Sequence, residues 1–297
     1  MSAWRTILVT KSCRLSTKNQ QLIYEPKDEP TITVPLEDIT VIVLENNQSS
    51  MTTALLSKCA EKNIALFTCD NYHMPNGCFS PFHQHSRFSQ ISHIQRDMKV
   101  PLKKQIWQKI ITQKIINQSQ LLEYFDKDNL QLKLLTNKVK SGDSENLEAL
   151  AARRYWSRLF DEFTRDQKAI DPRNIALNYG YAIVRGAVAR SLVAYGLLPT
   201  FGVFHNSDLN AYNLADDMIE PLRPMVDMVV KKLELEDELD VHLGISVKSA
   251  LLNVLVMQMR LNDENITVLN ICDIMAHSFV KSMKLNDVGS LQLPSVL

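Results

Sequence analysis

The segment from Gly202 to Asp227 places one imidazole, His205, just ahead of three closely spaced carboxylates, Asp216, Asp217 and Glu220, with Arg223 following inside Glu-Pro-Leu-Arg-Pro. If Asn206, Ser207 or Asp208 caps a helix that runs to Glu220, these carboxylates fall at helical spacing and stack on one face. Carboxylates packed so closely repel one another and drift towards protonation unless a cation or basic side chains offset them. Arg223 alone is too little, so the segment has the character of half of a metal site. The competing reading is a solvated acidic face near a helix end.

A partner for this half-site has to come from elsewhere in the chain. Glu148 stands near the start of a helical pattern, in Glu148-Ala-Leu-Ala-Ala-Arg-Arg-Tyr155-Trp156. An acidic residue in a first turn favours the helix dipole, which is reason enough for it to be there. The alanines Ala149, Ala151 and Ala152 add close access to the backbone for another helix or a substrate. His83 and His85 form an H-x-H pair without a third ligand nearby, which reads as a solvated loop.

The formal net charge of the 297-residue chain is zero, but the charge is segregated. Arg87 to Lys114 holds seven basic residues against the single acidic Asp97, whereas Asp208 to Asp240 holds ten acidic against three basic. A chain so divided can grip a polyanion with one surface and a cation with another. The basic stretch offers Arg96, Lys99, Lys103, Lys104, Lys109 and Lys114 as phosphate contacts, a solvated helix face being the alternative. Five cysteines, odd in number and never in a C-x-x-C pair, signal neither a disulfide framework nor a structural zinc site. The short apolar run Ile7 to Val9 is too brief for a signal-peptide core, and no apolar stretch reaches the length of a membrane span, so the chain reads as cytoplasmic. No Walker loop, G-x-G-x-x-G or H-E-x-x-H occurs.

The elements that must carry these residues divide in two. Short period-2 runs at Ile7–Val9, Leu22–Tyr24, Ile32–Val34 and Ile39–Leu44 predict strands, with Ser16–Gln20 and Pro26–Pro30 as polar turns. Thr52–Asn63 predicts a helix and Ile64–Cys69 a buried strand. Residues 70–89, with Pro75, Asn76-Gly77 and Pro81, read as a hinge in which no regular element would survive. Beyond Ile91 every long apolar pattern is helical: a helix from Pro101 to about Asn117, then Gln118–Lys140, Glu145–Gln167, Asn174–Tyr195, Leu209 onward, Val247–Leu261 and Val268–Leu285. Gly196 is the expected left-handed cap of the Asn174 helix. The expected fold class is therefore α+β, a small β-rich domain over residues 1–83 followed by a larger all-helical domain over 84–297.

Three passages together resemble the CRISPR-associated protein one family, the integrase that inserts spacers during CRISPR adaptation. They are Glu148 to Trp156; Asp171-Pro-Arg-Asn174 to Tyr181, leading to Gly196-Leu-Leu-Pro199-Thr-Phe-Gly202-Val-Phe-His205; and Asn213 to Asp227 with its Glu220-Pro-Leu-Arg-Pro core. The layout of a small β domain before a helical one extends the resemblance over nearly the whole chain, and the form is most like members of type II systems. The resemblance implies a metal site made of Glu148, His205 and Glu220, with Asp217 matching a supporting carboxylate of some members. Oxygen ligands plus one imidazole suit Mg²⁺ or Mn²⁺. It further implies a helical catalytic domain that joins the 3'-hydroxyl ends of a spacer duplex to the CRISPR repeat by metal-dependent transesterification. Other implications are a homodimer formed through the β domain, double-stranded DNA as substrate, and a heterohexamer of two such dimers around a dimer of the small ferredoxin-like adaptation subunit. The alternatives are a metal-dependent DNA nuclease acting by hydrolysis and a non-catalytic scaffold that binds DNA or protein.

Overall fold

A computed structural model describes residues 5–27, 29–79, 86–168 and 170–296. The chain divides into two compact units, Met1–Gln84 and His85–Leu297. The first contains β1 (Arg5–Val9), β2 (Cys13–Lys18), β3 (Gln21–Pro26), β4 (Ile32–Pro35), β5 (Ile39–Leu44), β6 (Ser50–Met51), α1 (Thr53–Glu61), β7 (Ala65–Cys69) and β8 (Pro75–Phe79). These form two four-stranded sheets, β1-β5-β7-β8 and β4-β3-β2-β6. Their shared core includes Leu15, Leu22, Leu36, Ile42, Leu55 and Cys59. Two strands depart from the sequence expectation. Most of the expected polar turn Ser16–Gln20 belongs to β2, because the reversal is made by Asn19 and Gln20 alone, both at positive φ (52° and 60°), in a two-residue hairpin. The hinge segment contributes β8: Pro75 sits where the register shifts at the end of an edge strand, and Gly77 leaves room for the Thr68 hydroxyl across the ladder. His83 and His85 lie outside the described residues.

The second unit contains α2 (Phe88–Arg96), α3 (Val100–Tyr124), α4 (Leu130–Thr136), α5 (Leu147–Leu159), α6 (Pro172–Ala194), α7 (Asn213–Met218), α8 (Arg223–Leu235), α9 (Ile245–Asn253), β9 (Gln258–Leu261), β10 (Glu264–Thr267) and α10 (Val268–Leu285). It is not all-helical. The tail of the expected Val247–Leu261 helix is instead β9, which pairs with β10 through Asn262 and Asp263, both at positive φ. Met259 and Leu261 are buried while Gln258 and Arg260 are exposed, the period-2 alternation of a strand. Gly196 takes the left-handed cap position (φ 81°), as expected. α3 is the hub. It runs unbroken past Asn117, where the sequence had suggested a boundary, because Asn117 is satisfied laterally: its amide donates to the carbonyls of Pro221 (2.6 Å) and Pro294 (3.1 Å). Trp107 and Lys114 lie two turns apart on α3, hence close to one face, and the candidate site is assembled against that face. Among the described residues no helix is long and apolar enough to cross a membrane.

Candidate metal centre

Glu148 is set by the loop before α5. The carboxylate of Asp143 accepts the backbone N–H groups of Leu147 (2.9 Å) and Glu148 (3.0 Å), fixing the first turn of the helix from outside. The Glu148 carboxylate then meets the Lys114 ammonium at 2.6 Å. Glu220 approaches the same ammonium from the other side at 2.5 Å, and its second oxygen accepts from Arg223 Nε at 2.9 Å. Two carboxylates from distant segments thus point at one cationic position. Burial disfavours the Glu220 carboxylate, but Arg223 and Lys114 outweigh it and hold its pKa below the ordinary value. Burial likewise opposes the Lys114 charge, and Glu220 and Glu148 outweigh it, raising the lysine pKa.

The stretch expected to be one helix from 206–208 to Glu220 is broken differently. α7 begins only at Asn213 and ends at Met218, and a 3-10 turn over Glu220–Leu222 precedes α8. The three carboxylates are drawn to separate partners. Asp216 leaves the cluster, held bidentate by Arg185 at 2.6 and 2.9 Å. Asp217 is fully buried and serves His205: one oxygen accepts from the His205 N–H (3.1 Å) and ring Nδ1 (2.7 Å), the other from the N–H groups of Val203 (2.6 Å) and Phe204 (3.2 Å). With both oxygens so engaged, Asp217 fixes the position of the His205 segment. Its carboxylate, an acceptor only, favours the imidazole proton on Nδ1 and leaves Nε2 without that bond. The hydrogen bond to Asp217 also raises the His205 pKa. Gly202 is needed for space, since a Cβ there would lie 2.3 Å from the His205 carbonyl and 2.7 Å from the Asp217 carboxylate. Phe204 stacks on Trp107 at 4.2 Å, and the His205 ring packs edge-on against both.

A cavity of about 280 Å³ opens onto Glu148, Lys114 and Glu220, and a second of about 450 Å³ onto His205, Asp216 and Arg185. Arg165, Tyr181 and Arg223 line both. Neither Arg165 nor Tyr181 was singled out from sequence, although both flank or lie in the Asn174–Tyr181 passage. Among the described residues no three ligand-type side chains form a ready metal cluster. Lys114 stands between the two glutamates, and His205 opens onto the neighbouring cavity. The donor chemistry nonetheless fits a divalent cation, because two carboxylates already converge on a position that a positive charge occupies.

The basic stretch is divided by the fold. Lys99 and Lys104 are exposed and Lys103 is half-buried. Arg96 is exposed but paired with Asp97 at 2.8 Å. Lys109 turns inward and donates to the carbonyls of Val288 and Leu291, and Lys114 is buried in the centre just described. In this structure those two lysines are set apart from the exposed ones, because each is already bonded to acceptors on other elements.

With this geometry in hand, comparison with known proteins is specific. The model of the family "CRISPR associated protein Cas1" matches residues 6–242, a range that includes Glu148, His205 and Glu220. A CRISPR-associated endonuclease Cas1 from Neisseria meningitidis serogroup C (strain 8013) is 41% identical over 298 residues, covering 99% of this chain and 97% of that protein. Among solved structures, a casposase bound to integration product superposes with TM-score 0.73 at 18% identity, covering 96% of this chain and 93% of that one. A Cas6-RT-Cas1–Cas2 complex superposes with TM-score 0.72 at 19% identity; the match covers 99% of this chain but 36% of that one. These two likenesses speak for the fold, while the extent of the family match and the near-full-length identity speak for descent: the chain belongs to the Cas1 family of CRISPR-associated proteins.

Proposed function

We propose that this protein is the catalytic subunit of a CRISPR adaptation integrase, joining the 3'-hydroxyl ends of a spacer duplex to the repeat by transesterification. The observation that carries the reading is the convergence of Glu148 and Glu220 on one cation position, with a buried carboxylate orienting His205 beside it. Glu148, Glu220 and His205 Nε2 would hold Mg²⁺ or Mn²⁺. When bound, such an ion lends positive charge to the phosphodiester under attack and to the departing oxygen. The chain's own contribution is orientation. Asp217 locks the imidazole tautomer, Asp143 locks the first turn of α5, and Arg223 and Arg165 face the cavity as anion-binding groups. No side chain in the cavity needs to act as a nucleophile, since the attacking oxygen comes from the DNA. A Cas2-like partner is supported by the likeness to Cas6-RT-Cas1–Cas2 complexes; a homodimer formed through the β-rich unit and double-stranded DNA complete the assembly proposed.

The relatives' name, endonuclease, supports a second reading in which water replaces the 3'-hydroxyl. A donor duplex ending in a 3'-deoxy nucleotide separates the two. With Mn²⁺, the small partner and a labelled repeat duplex, the normal donor should give a joined product and the 3'-deoxy donor none, with binding almost unchanged because phosphates dominate the interface. Equal strand breakage with both donors and no joined species would replace the integrase reading with hydrolysis.

A further inference from the structure

The two glutamates are neutralised in full before any metal arrives. Lys114 Nζ lies 2.6 Å from Glu148 and 2.5 Å from Glu220, and Arg223 supplies a second positive charge to Glu220. Lys114 and Glu220 are buried, with side chains 10% and 5% exposed, while Glu148 and Arg223 are partly buried. A divalent ion entering here meets a site without net charge and an ammonium on the position it needs, and repulsion between like charges at such separations is strong in a poorly solvated interior. The ammonium also has somewhere to go: it borders the cavity of about 280 Å³ that Arg165 shares. Arg165 gives its hydrogen bonds to the neutral amides of Asn174 (2.8 Å) and Asn178 (2.6 Å), so its charge is not cancelled by a bonded carboxylate. With Lys114 turned towards Arg165, the cavity would present two positive charges to an anionic oxygen.

We propose that Lys114 is a resident counter-cation that holds Glu148 and Glu220 together in the DNA-free protein, yields their position to the divalent ion, and transfers its charge to the incoming DNA phosphate. Metal and DNA then enter as a coupled pair. Without DNA, displacing Lys114 leaves an excess of two positive charges around the two glutamates, which keeps metal affinity low; with DNA, the phosphate offsets part of that excess. This rests on the metal-site reading above and adds to it a residue that regulates loading.

The test measures Mn²⁺ binding to the full chain by the electron paramagnetic resonance signal of the free ion, with and without a short duplex, after subtracting binding by the duplex alone. In the wild type, DNA should tighten Mn²⁺ binding by about tenfold or more, a coupling of ordinary size. In Lys114→Met the DNA-free protein should bind Mn²⁺ about tenfold more tightly than wild type, with DNA adding little. Its metal-free melting temperature should fall and recover at saturating Mn²⁺. Unchanged or weaker Mn²⁺ affinity in a folded Lys114→Met protein would overturn the proposal. Should that variant not fold, equal wild-type Mn²⁺ affinity with and without DNA would overturn it as well. Glu148→Gln distinguishes the underlying reading: if it leaves wild-type Mn²⁺ binding intact in both conditions, the metal site itself is wrong.

Discussion

Asp217→Asn is the sharpest perturbation of the site that leaves every proposed ligand in place. The carboxylate accepts four hydrogen bonds, two on each oxygen, all from the segment Val203 to His205. An amide supplies one acceptor oxygen and one NH₂ group, so in either orientation two donors lose their acceptor and face another donor. Each hydrogen bond to a charged group contributes about 1.5–3 kcal/mol, so losing two costs ~3–6 kcal/mol. The Val203–His205 segment can open locally and cap that cost, which sets the expected loss at about 3 kcal/mol, or roughly two decades of equilibrium constant. Amide hydrogen exchange at Val203, Phe204 and His205 reads this directly. Protection there should fall about a hundredfold while the α3 core stays protected, and strand joining should be lost because His205 is no longer held. Protection within a few-fold of wild type, together with wild-type joining, would show that Asp217 does not organise this segment.

Four further outcomes can be measured. Burial raises the pKa of Asp227 to about 6 despite hydrogen bonds from Tyr155 and Tyr181 and the nearby Arg223 and Arg165. The folded protein therefore binds this proton more tightly than the unfolded chain, and stability from this group falls as pH rises from about 4 to about 6, by roughly 3 kcal/mol. Wild type should lose stability relative to Asp227→Asn across that window in urea titrations, and parallel curves would refute the assignment. Reversing Lys99, Lys103 and Lys104 to Glu should weaken DNA binding and reduce the slope of log K on log salt by about one unit per lost phosphate contact. Lys109→Met should instead lower the melting temperature and leave the slope unchanged, since its ammonium is bonded to the carbonyls of Val288 and Leu291. Gly202→Ala should impair joining through a displaced His205 loop, because the atoms its Cβ would strike are a backbone carbonyl and the Asp217 carboxylate; wild-type rates would show that the loop can shift freely.

Elements whose pattern is local were legible in the sequence. The apolar run of β5, the extent of α10 and the Gly196 cap of α6 announced themselves because each is a response of nearby residues to one pattern or one turn. The β9–β10 hairpin carried a legible signal too, an Asn-Asp turn between alternating residues, but an apolar run upstream drew it into a helix. The candidate ligands Glu148, His205 and Glu220 were named from their passages and a family resemblance, whereas their relations were not. Counting carboxylates at helical spacing assumed that they act as one cluster, whereas Asp216, Asp217 and Glu220 each meet a different partner brought in by another segment. Lys114 looked like one more positive charge in a basic run, because linear charge density cannot reveal which lysine is buried. That was decided by two glutamates, from α5 and from the turn before α8, reaching the same turn of α3, a meeting that depends on long-range packing and on no local pattern.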